Sequence, residues 1–579
     1  MTKLTRYFKA YWSQILAVLA LLFLQAMCDL SLPDYMSDIV NNGVAAQDLA
    51  YILPAGGKML LVALVGAGCT VAVGLIAARI AAGISRDLRN DVFSKVEGFS
   101  LAEFDRFGAS SLITRTTNDI QQIQMVTVML LRFVLYAPIQ GIGGVIKAVG
   151  KSPSMSWLIA LAVLVILGVI LVLFSIVLPR FKVVQKLVDR LNRVTRESLV
   201  GMLVIRAFNN QGHEEARFDE ANRDLTRLNT FVHRIIAAMM PTMMLVMNAL
   251  TVGIVWFGSH YVDAGSMQIG DMMAFIQYAM QIIMSFLMVP MAFVLLPRAS
   301  VSAERINEVL TCEPAIRDPE GDRSAEGGNT LPGTVEFRNV SFAYPGADDE
   351  VIKNISFVAK PGQTTAFIGS TGSGKSTLIN LIPRFYDATA GRVLIDGVDV
   401  RAYDTAALRK KIGIVPQKSV LFTGTVRENL RWGKPDASDE EIARALDIAQ
   451  AAEFVAKLPQ GYETPILQGG KNLSGGQRQR LAIARALVGR PDILILDDSS
   501  SALDYRTDAA LRAALAAQAG ESTVFVVSQR ASAIRHADVI AVLDDGRLAG
   551  VGSHEQLLES CPVYREICLS QLSEEEVSR

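Results

Sequence analysis

The chain has 579 residues, 51% apolar and 20% charged, with a mean hydropathy of +0.31. At roughly 100–200 residues per domain it holds about three or four domain-sized units, and a charged fraction below the usual ~25% points to lipid-facing and water-facing parts in one polypeptide. Fifty-six basic against fifty-seven acidic residues leave a net charge of −1, which excludes a global polycation for nucleic acid, and Cys28, Cys69, Cys312, Cys561 and Cys568 lack the spacing of a zinc site or a disulfide framework.

Nearly all the apolar excess precedes residue 305. Six stretches reach the ~20 residues needed to cross a bilayer: 15–32, 52–82, 125–149, 157–178, 237–261 and 272–296. Lys3, Arg6 and Lys9 precede the first, as in a signal peptide. The run is too long for a signal h-region, however, and Ser31-Leu32-Pro33 offers no small-residue cleavage site, so a retained helix is expected.

The connections 79–115 and 180–234 are long and basic while the other three carry few cations. The bias of Lys and Arg towards the cytoplasm then puts both termini on that side. Within the basic connections, apolar residues recur at three-to-four spacing over 78–96 and 181–209. This predicts helices that run on into the cytoplasm, with short helices at their tips over 101–107 and 212–218.

Two features of the spans bear on cargo. Met239, Met240, Met243, Met244, Met247, Met280, Met284, Met288 and Met291 crowd the last two spans, with Asn248, Gln277 and Gln281 among them. Methionine makes adaptable binding surfaces for bulky apolar or amphiphilic compounds, and it also serves plain helix packing. Asp29 and Arg132 are the main intramembrane charges, both near an expected span boundary. Such groups are functional candidates, or they snorkel to the interface.

A membrane domain over 1–310 is thus followed by a Pro-, Gly- and acid-rich linker, 311–333, and a domain over 334–579 in which short apolar runs alternate with amphipathic segments. Strands are expected at 335–344, 365–369, 412–415, 493–496 and 523–527, the pattern of an α/β fold.

Gly369-Ser370-Thr371-Gly372-Ser373-Gly374-Lys375-Ser376 follows one of these strands and precedes a helix opening at Thr377, which fits the phosphate loop G-x-x-x-x-G-K-[ST]. Its glycines let backbone N–H groups wrap phosphates at a helix N-terminus, with Lys375 for the β/γ-phosphates and Ser376 for Mg²⁺. The strand 493–496 ends in Asp497, a carboxylate placed to hold Mg²⁺. Ser474, Gly475, Gly476 and Gln477, after Leu473, open a second helix whose N–H groups suit an anion.

The Leu473–Gln477 sequence, lying between the phosphate loop and Asp497, resembles the signature of the ABC ATPases, and six spans followed by one such domain resemble an ABC exporter half-transporter over essentially the whole chain. The resemblance implies six long helices with cytoplasmic extensions followed by an α/β P-loop nucleotide-binding domain, with ATP and Mg²⁺ as ligands. Tyr344 matches the aromatic that stacks on adenine, and Gln417 the glutamine that joins Ser376 and Asp497 near the metal. Ser501-Ala502-Leu503-Asp504 matches the D-loop. A second half-transporter is implied as partner, with each ATP held between one chain's phosphate loop and the other's signature. The tip helices match the family's coupling helices. Such a protein is multi-pass in the cell membrane, in contact with lipid, with its ATP domain cytoplasmic and an amphiphilic substrate.

Two positions depart from the family pattern, and both belong to the catalytic step. Asp498 stands where active members carry the glutamate that polarises water, and Gln529 where they carry histidine. The intact signature beside this altered site resembles the degenerate subunit of bacterial heterodimeric multidrug exporters. A homodimer hydrolysing ATP with Asp498, a regulatory ATP-binding membrane subunit, and uptake on an exporter-like fold stay open alongside it.

Overall fold

The computed structural model describes residues 5–319, 331–499, 503–518 and 522–572, side chains at 174, 178, 182, 287–294 and 518 excepted. The side chains of Met288 and Met291, residues Ser501 and Ala502 of the D-loop, and most of the linker therefore lie outside the described residues. Two compact units separate, one of residues 1–96 and 110–312, the other of 97–109 and 313–579. The segment 97–109, expected in the membrane domain, belongs to the second unit.

In the first unit the candidate spans are Trp12–Val44, Leu49–Glu97, Ala109–Lys151, Pro153–Val200 and Gln211–Asp263, with a sixth at Ile269–Phe286 inside the helix Ile269–Thr311. Helices of 43 to 53 residues are far longer than the ~20 that cross hydrocarbon. They persist because the periodicity survives after the apolar run ends: Ile80, Ile84, Leu88 and Val92 recur every fourth residue and are all buried. Leu60, Leu61, Leu64, Val71 and Leu75 earlier in the same helix are more than 60% exposed, as a lipid-facing stripe requires.

Close helix approach depends on small residues. A Cβ on Gly144 would come within 2.7 Å of Ile282, and one on Gly141 within 2.8 Å of Ser285, so glycine brings Tyr136–Lys151 against Ile269–Thr311. The first helix joins them: Tyr278 donates to the Leu30 carbonyl at 3.1 Å, and Lys147 and Lys151 pair with Asp34 and Asp271 at 2.7 and 2.9 Å.

Two expectations are corrected. The helix expected over 181–209 breaks at Gly201 (φ −83°, ψ 7°) into Ser156–Val200 and Met202–Ala207, since glycine weakens a helix interior by about 1 kcal/mol. The short helix expected over 212–218 is the opening of the continuous helix Gln211–Asp263, in which the next strong breaker, Pro241, comes thirty residues later. The methionines divide as well. Met243 is buried in the helix core with Met239 and Met247 against it, whereas Met240, Met244 and Met284 are exposed.

In the second unit the helix Leu101–Phe107 starts from a capping box between Ser100 and Glu103. Tyr386 donates to Asp105 at 2.6 Å and the Ala315 amide to Glu103 at 3.0 Å, which fastens this helix to the unit. Twelve strands follow: β1 (Val335–Phe342), β2 (Ile352–Ala359), β3 (Thr364–Gly369), β4 (Ala390–Ile395), β5 (Val398–Asp399), β6 (Ile412–Val415), β7 (Gly424–Thr425), β8 (Pro465–Ile466), β9 (Ile493–Asp497), β10 (Thr523–Val527), β11 (Val539–Asp544) and β12 (Arg547–Gly552).

One sheet runs β2-β1-β4-β5 and is antiparallel; the larger runs β12-β11-β3-β10-β9-β6 and is parallel except for β12. A ladder of aromatic rings links them. Phe337 stacks on Phe357 at 4.6 Å, Phe357 meets Phe367 edge-on at 5.6 Å, and Phe367 stacks on Phe525 at 6.0 Å.

Candidate functional site

Parallel pairing of β3 with β10 and of β10 with β9 sets Val527 opposite both Phe367 and Asp497. The C-terminal ends of three strands therefore lie side by side, where open α/β sheets form their ligand crevices. The loop after β3 leads into the helix Lys375–Asn380 through Gly374, at φ +95°. A Cβ there would come within 2.6 Å of Ile352, so only glycine fits the turn.

A cavity of 250 Å³ opens at this point, lined by Thr371, Gly372, Gly374, Lys375, Ser376, Thr377, Gln417, Asp497, Asp498 and Gln529, with Val351 and Val527. Residues up to 178 positions apart in the chain thus share one wall. Lys375 is buried and donates to the Gly369 and Ser370 carbonyls at 3.0 and 2.7 Å and to the Ser373 hydroxyl at 3.2 Å. Those three residues are the lysine's cradle and are not on the wall. Burial lowers the Lys375 pKa, against the pull of Asp497 and Asp498.

Ser376 donates to Asp497 at 3.0 Å. Asp498 follows at φ +46°, a conformation in which Asp is enriched among non-glycine residues. Its amide donates to the Val527 carbonyl at 2.9 Å, its carbonyl accepts from Gln479 at 3.4 Å, and its carboxylate is hydrogen-bonded by Gln417. Burial raises the pKa of both carboxylates, offset in part by the Ser376 and Gln417 bonds. Gln529 is held by its main chain, whose carbonyl accepts from Gln571 at 2.8 Å, and the residue lines the cavity.

The other expected residues are placed elsewhere. Ser474, Gly475, Gly476 and Gln477 are off the cavity wall and open the helix Gly475–Leu487 through a reciprocal Ser474–Gln477 cap. Ser474 and Gly475 are exposed. Asp504 caps the helix Tyr505–Gln518, its carboxylate accepting from the Thr507 amide and hydroxyl at 2.9 Å each. Tyr344 is packed edge-on against Phe342 and Tyr386, and its hydroxyl bonds that of Thr377 at 2.9 Å. Sequence reasoning missed Val351 and Val527. The second ends an expected strand; the first sits in a turn and carries no local signal.

The raised pKa of Asp497 has a consequence for stability. Its neutral form is favoured in the fold, so the ionised form weakens the native state as pH rises through the shifted value, and the effect is absent well below it. In nucleotide-free protein, Asp497→Asn is expected to melt no lower than the natural protein at pH 8, with a smaller difference at pH 4. Thermal melts at the two pH values test this, and a clear loss of stability at pH 8 contradicts it.

Residues 15–286 match the ABC transporter transmembrane region family and residues 352–501 the ABC transporter family. The chain is 43% identical over 571 residues to an uncharacterized ABC transporter ATP-binding protein of Mycobacterium tuberculosis, covering 98% of this chain and 97% of that protein. It is 34% identical over 485 residues to a fatty acid ABC transporter ATP-binding/permease protein of the same species, covering 83% and 75%. Among solved structures, a bacterial Atm1-family ABC exporter with ATP bound superposes with a TM-score of 0.76 at 26% identity, covering 97% of this chain and 99% of that one. A membrane domain of six apolar helices and an ATP-hydrolysing domain built on a phosphate loop, joined in one polypeptide, make this chain an ABC transporter, a half-transporter of the exporter type.

Proposed function

We propose that this half-transporter exports amphiphilic molecules from the cytoplasm as one half of a heterodimer, binding ATP at a slow site of its own and lending its signature to the partner's hydrolytic site. One observation carries the reading. Asp498 and Gln529, the two departures from the family pattern, line the same cavity as Lys375, Ser376 and Asp497, which supports reading both as part of the catalytic machinery. A carboxylate one methylene short leaves the attacking water misplaced, and roughly 1 Å of misplacement can lower a rate on the order of 10²-fold. Gln529 donates a hydrogen bond but carries no charge.

Ser474 and Gly475, exposed at their helix end and away from the chain's own cavity, are disposed to meet a nucleotide held by another subunit. Relatedness to a fatty acid transporter supports an amphiphilic cargo.

Hard oxygen donors fit Mg²⁺: a hydroxyl and a carboxylate 3.0 Å apart, with Gln417 on the same wall, match a metal held by one or two carboxylates and by phosphates. When bound, Mg²⁺ neutralises charge on the β/γ-phosphates. Lys375 exchanges a loop carbonyl for a phosphate oxygen. Tyr344, whose hydroxyl bonds that of Thr377 on the cavity wall, is the aromatic nearest to hand for the adenine, and Asp504 at its exposed helix end is left for the partner's side of the dimer. The bias of Lys and Arg in the long connections supports a cytoplasmic ATP domain and cytoplasmic termini.

The test is ATP hydrolysis with and without the partner. The chain purified alone is expected to turn over ATP at a small fraction of the rate of the co-purified pair, and Asp498→Asn in the pair to change that rate less than about twofold. Ordinary turnover by the chain alone, abolished by Asp498→Asn, would instead establish the homodimer.

A further inference from the structure

A second cavity, of 280 Å³, lies within the membrane domain, and its wall includes Gln25, Arg132, Tyr136, Gln140, Gln281 and Met284. Gln25 is ten residues into the first apolar stretch and Gln281 nine into the sixth. At 1.5 Å per residue these are depths of about 15 and 13 Å, the middle of a ~30 Å hydrocarbon core.

Arg132 is the one charged side chain on that wall. Among the described residues its guanidinium has no carboxylate within ion-pairing distance; it stands over the Phe133 ring at 5.4 Å and close to Gly74. Asp29, the other intramembrane charge, is off the wall and accepts from the Tyr136 hydroxyl at 2.6 Å.

The amides are in a fixed chain. Gln140 donates to the Gln281 side chain at 2.9 Å, and Gln281 to the Asp29 carbonyl at 3.1 Å. Among the described residues this leaves the Gln140 carbonyl oxygen buried without a partner, on a residue only 5% exposed. The backbone adds an independent sign: Arg132 sits on a single π-helical turn, Leu130–Val134, a distortion that recurs at functional sites.

An arginine without a counter-ion at this depth disfavours the empty state, as does a buried amide acceptor without a donor. One kind of occupant answers both. Resting on the export reading above, we infer that the cavity around Arg132 binds the head of an anionic amphiphile that carries an N–H or O–H beside its acid group. The acid pairs with Arg132, the donor hydrogen meets the Gln140 carbonyl, and the tail runs past Phe133 and Met284.

The experiment is equilibrium binding to the full chain in nanodiscs of uncharged phosphatidylcholine, without nucleotide. Its three probes share a twelve-carbon chain: N-dodecanoylglycine, dodecanoate and dodecyltrimethylammonium. The expected order of affinity is as written, with the ammonium at least about tenfold weaker than dodecanoate, as a charge-assisted hydrogen bond implies. Arg132→Gln should weaken both anions about tenfold or more and leave the ammonium unchanged, whereas Arg132→Lys keeps anion binding within about threefold. Gln140→Leu should remove the advantage of N-dodecanoylglycine over dodecanoate.

Equal binding of dodecanoate by Arg132→Gln and the natural protein, or a preference of the natural protein for the ammonium, overturns the inference. The probe order in the natural protein needs no variant to fold. Binding without nucleotide is independent of which ATP site turns over. Anion binding unaccompanied by ATP-driven movement in vesicles would refute export and leave this site standing.

Discussion

Replacing Asp498 by Glu together with Gln529 by His is expected to raise ATP turnover by the chain purified alone on the order of 10²-fold. Glutamate restores the missing methylene at a position where the main chain is already fixed by the bond from the Asp498 amide to the Val527 carbonyl, so the gain in reach is directed into the cavity. Histidine restores a group able to carry charge near the γ-phosphate. The two act on one step, so the single substitutions are expected to fall well short of the pair, and their effects not to add.

Stability should move the other way. The backbone at Asp498 is left-handed, at φ +46°, where Asp is better tolerated than Glu, so Asp498→Glu should lose about 1 kcal/mol while it gains activity. Phosphate release and melting temperature are the measurements. Unchanged turnover in a double variant that still binds ATP would mean that these residues do not limit the rate.

The second large effect concerns what holds the cavity together. Phe525→Ala is expected to destabilise the ATP domain by about 3–5 kcal/mol, a large part of the 5–15 kcal/mol that typically separates folded from unfolded. Phe525 is fully buried at the centre of β10 and is one end of the ring ladder through Phe367 and Phe357 to Phe337. Removing it opens a hole between two sheets and loosens the strand whose end carries Val527 and leads to Gln529.

A fall in melting temperature of roughly 10 °C or more is expected for a domain of this size, with ATP affinity lost alongside. Phe422→Ala is the control. That ring stacks on Trp432 at 4.3 Å but is 45% exposed, and a change below about 1 kcal/mol is expected. Similar losses in the two variants would show that the ladder is not what secures the site.

Legibility differed between elements for a definite reason. All five residues of β9 are buried and so are five of six in β3; strands covered on both faces read as continuous apolar runs, and the expected strands at these positions match within a residue. β2 alternates buried and exposed residues, and every residue of β12 is exposed or half-exposed. Antiparallel and edge strands need few apolar residues, and β2, β4, β5 and β12 were not expected; β11, a buried apolar run between β3 and β12, was missed without that reason. The spanning helices were legible by length and hydropathy. Their ends beyond the apolar runs were less so, because one glycine at 201 relocated the tip that periodicity had put over 212–218.

What the sequence by itself determined is local: six runs long enough to cross a membrane, a phosphate loop whose glycines permit one turn, a signature that opens a helix, and the two residues that break the family pattern. Those depend on the order of neighbouring side chains and need no partner from far along the chain. Proximity does. That Lys375, Gln417, Asp497, Asp498 and Gln529 face one cavity follows from the strand order β3-β10-β9, which is set by burial between sheets and not by any motif. The same holds in the membrane domain. Hydropathy marked Arg132 as an intramembrane charge, but only helix packing through glycine decided that it faces a cavity which, among the described residues, holds an unpartnered amide oxygen and no carboxylate.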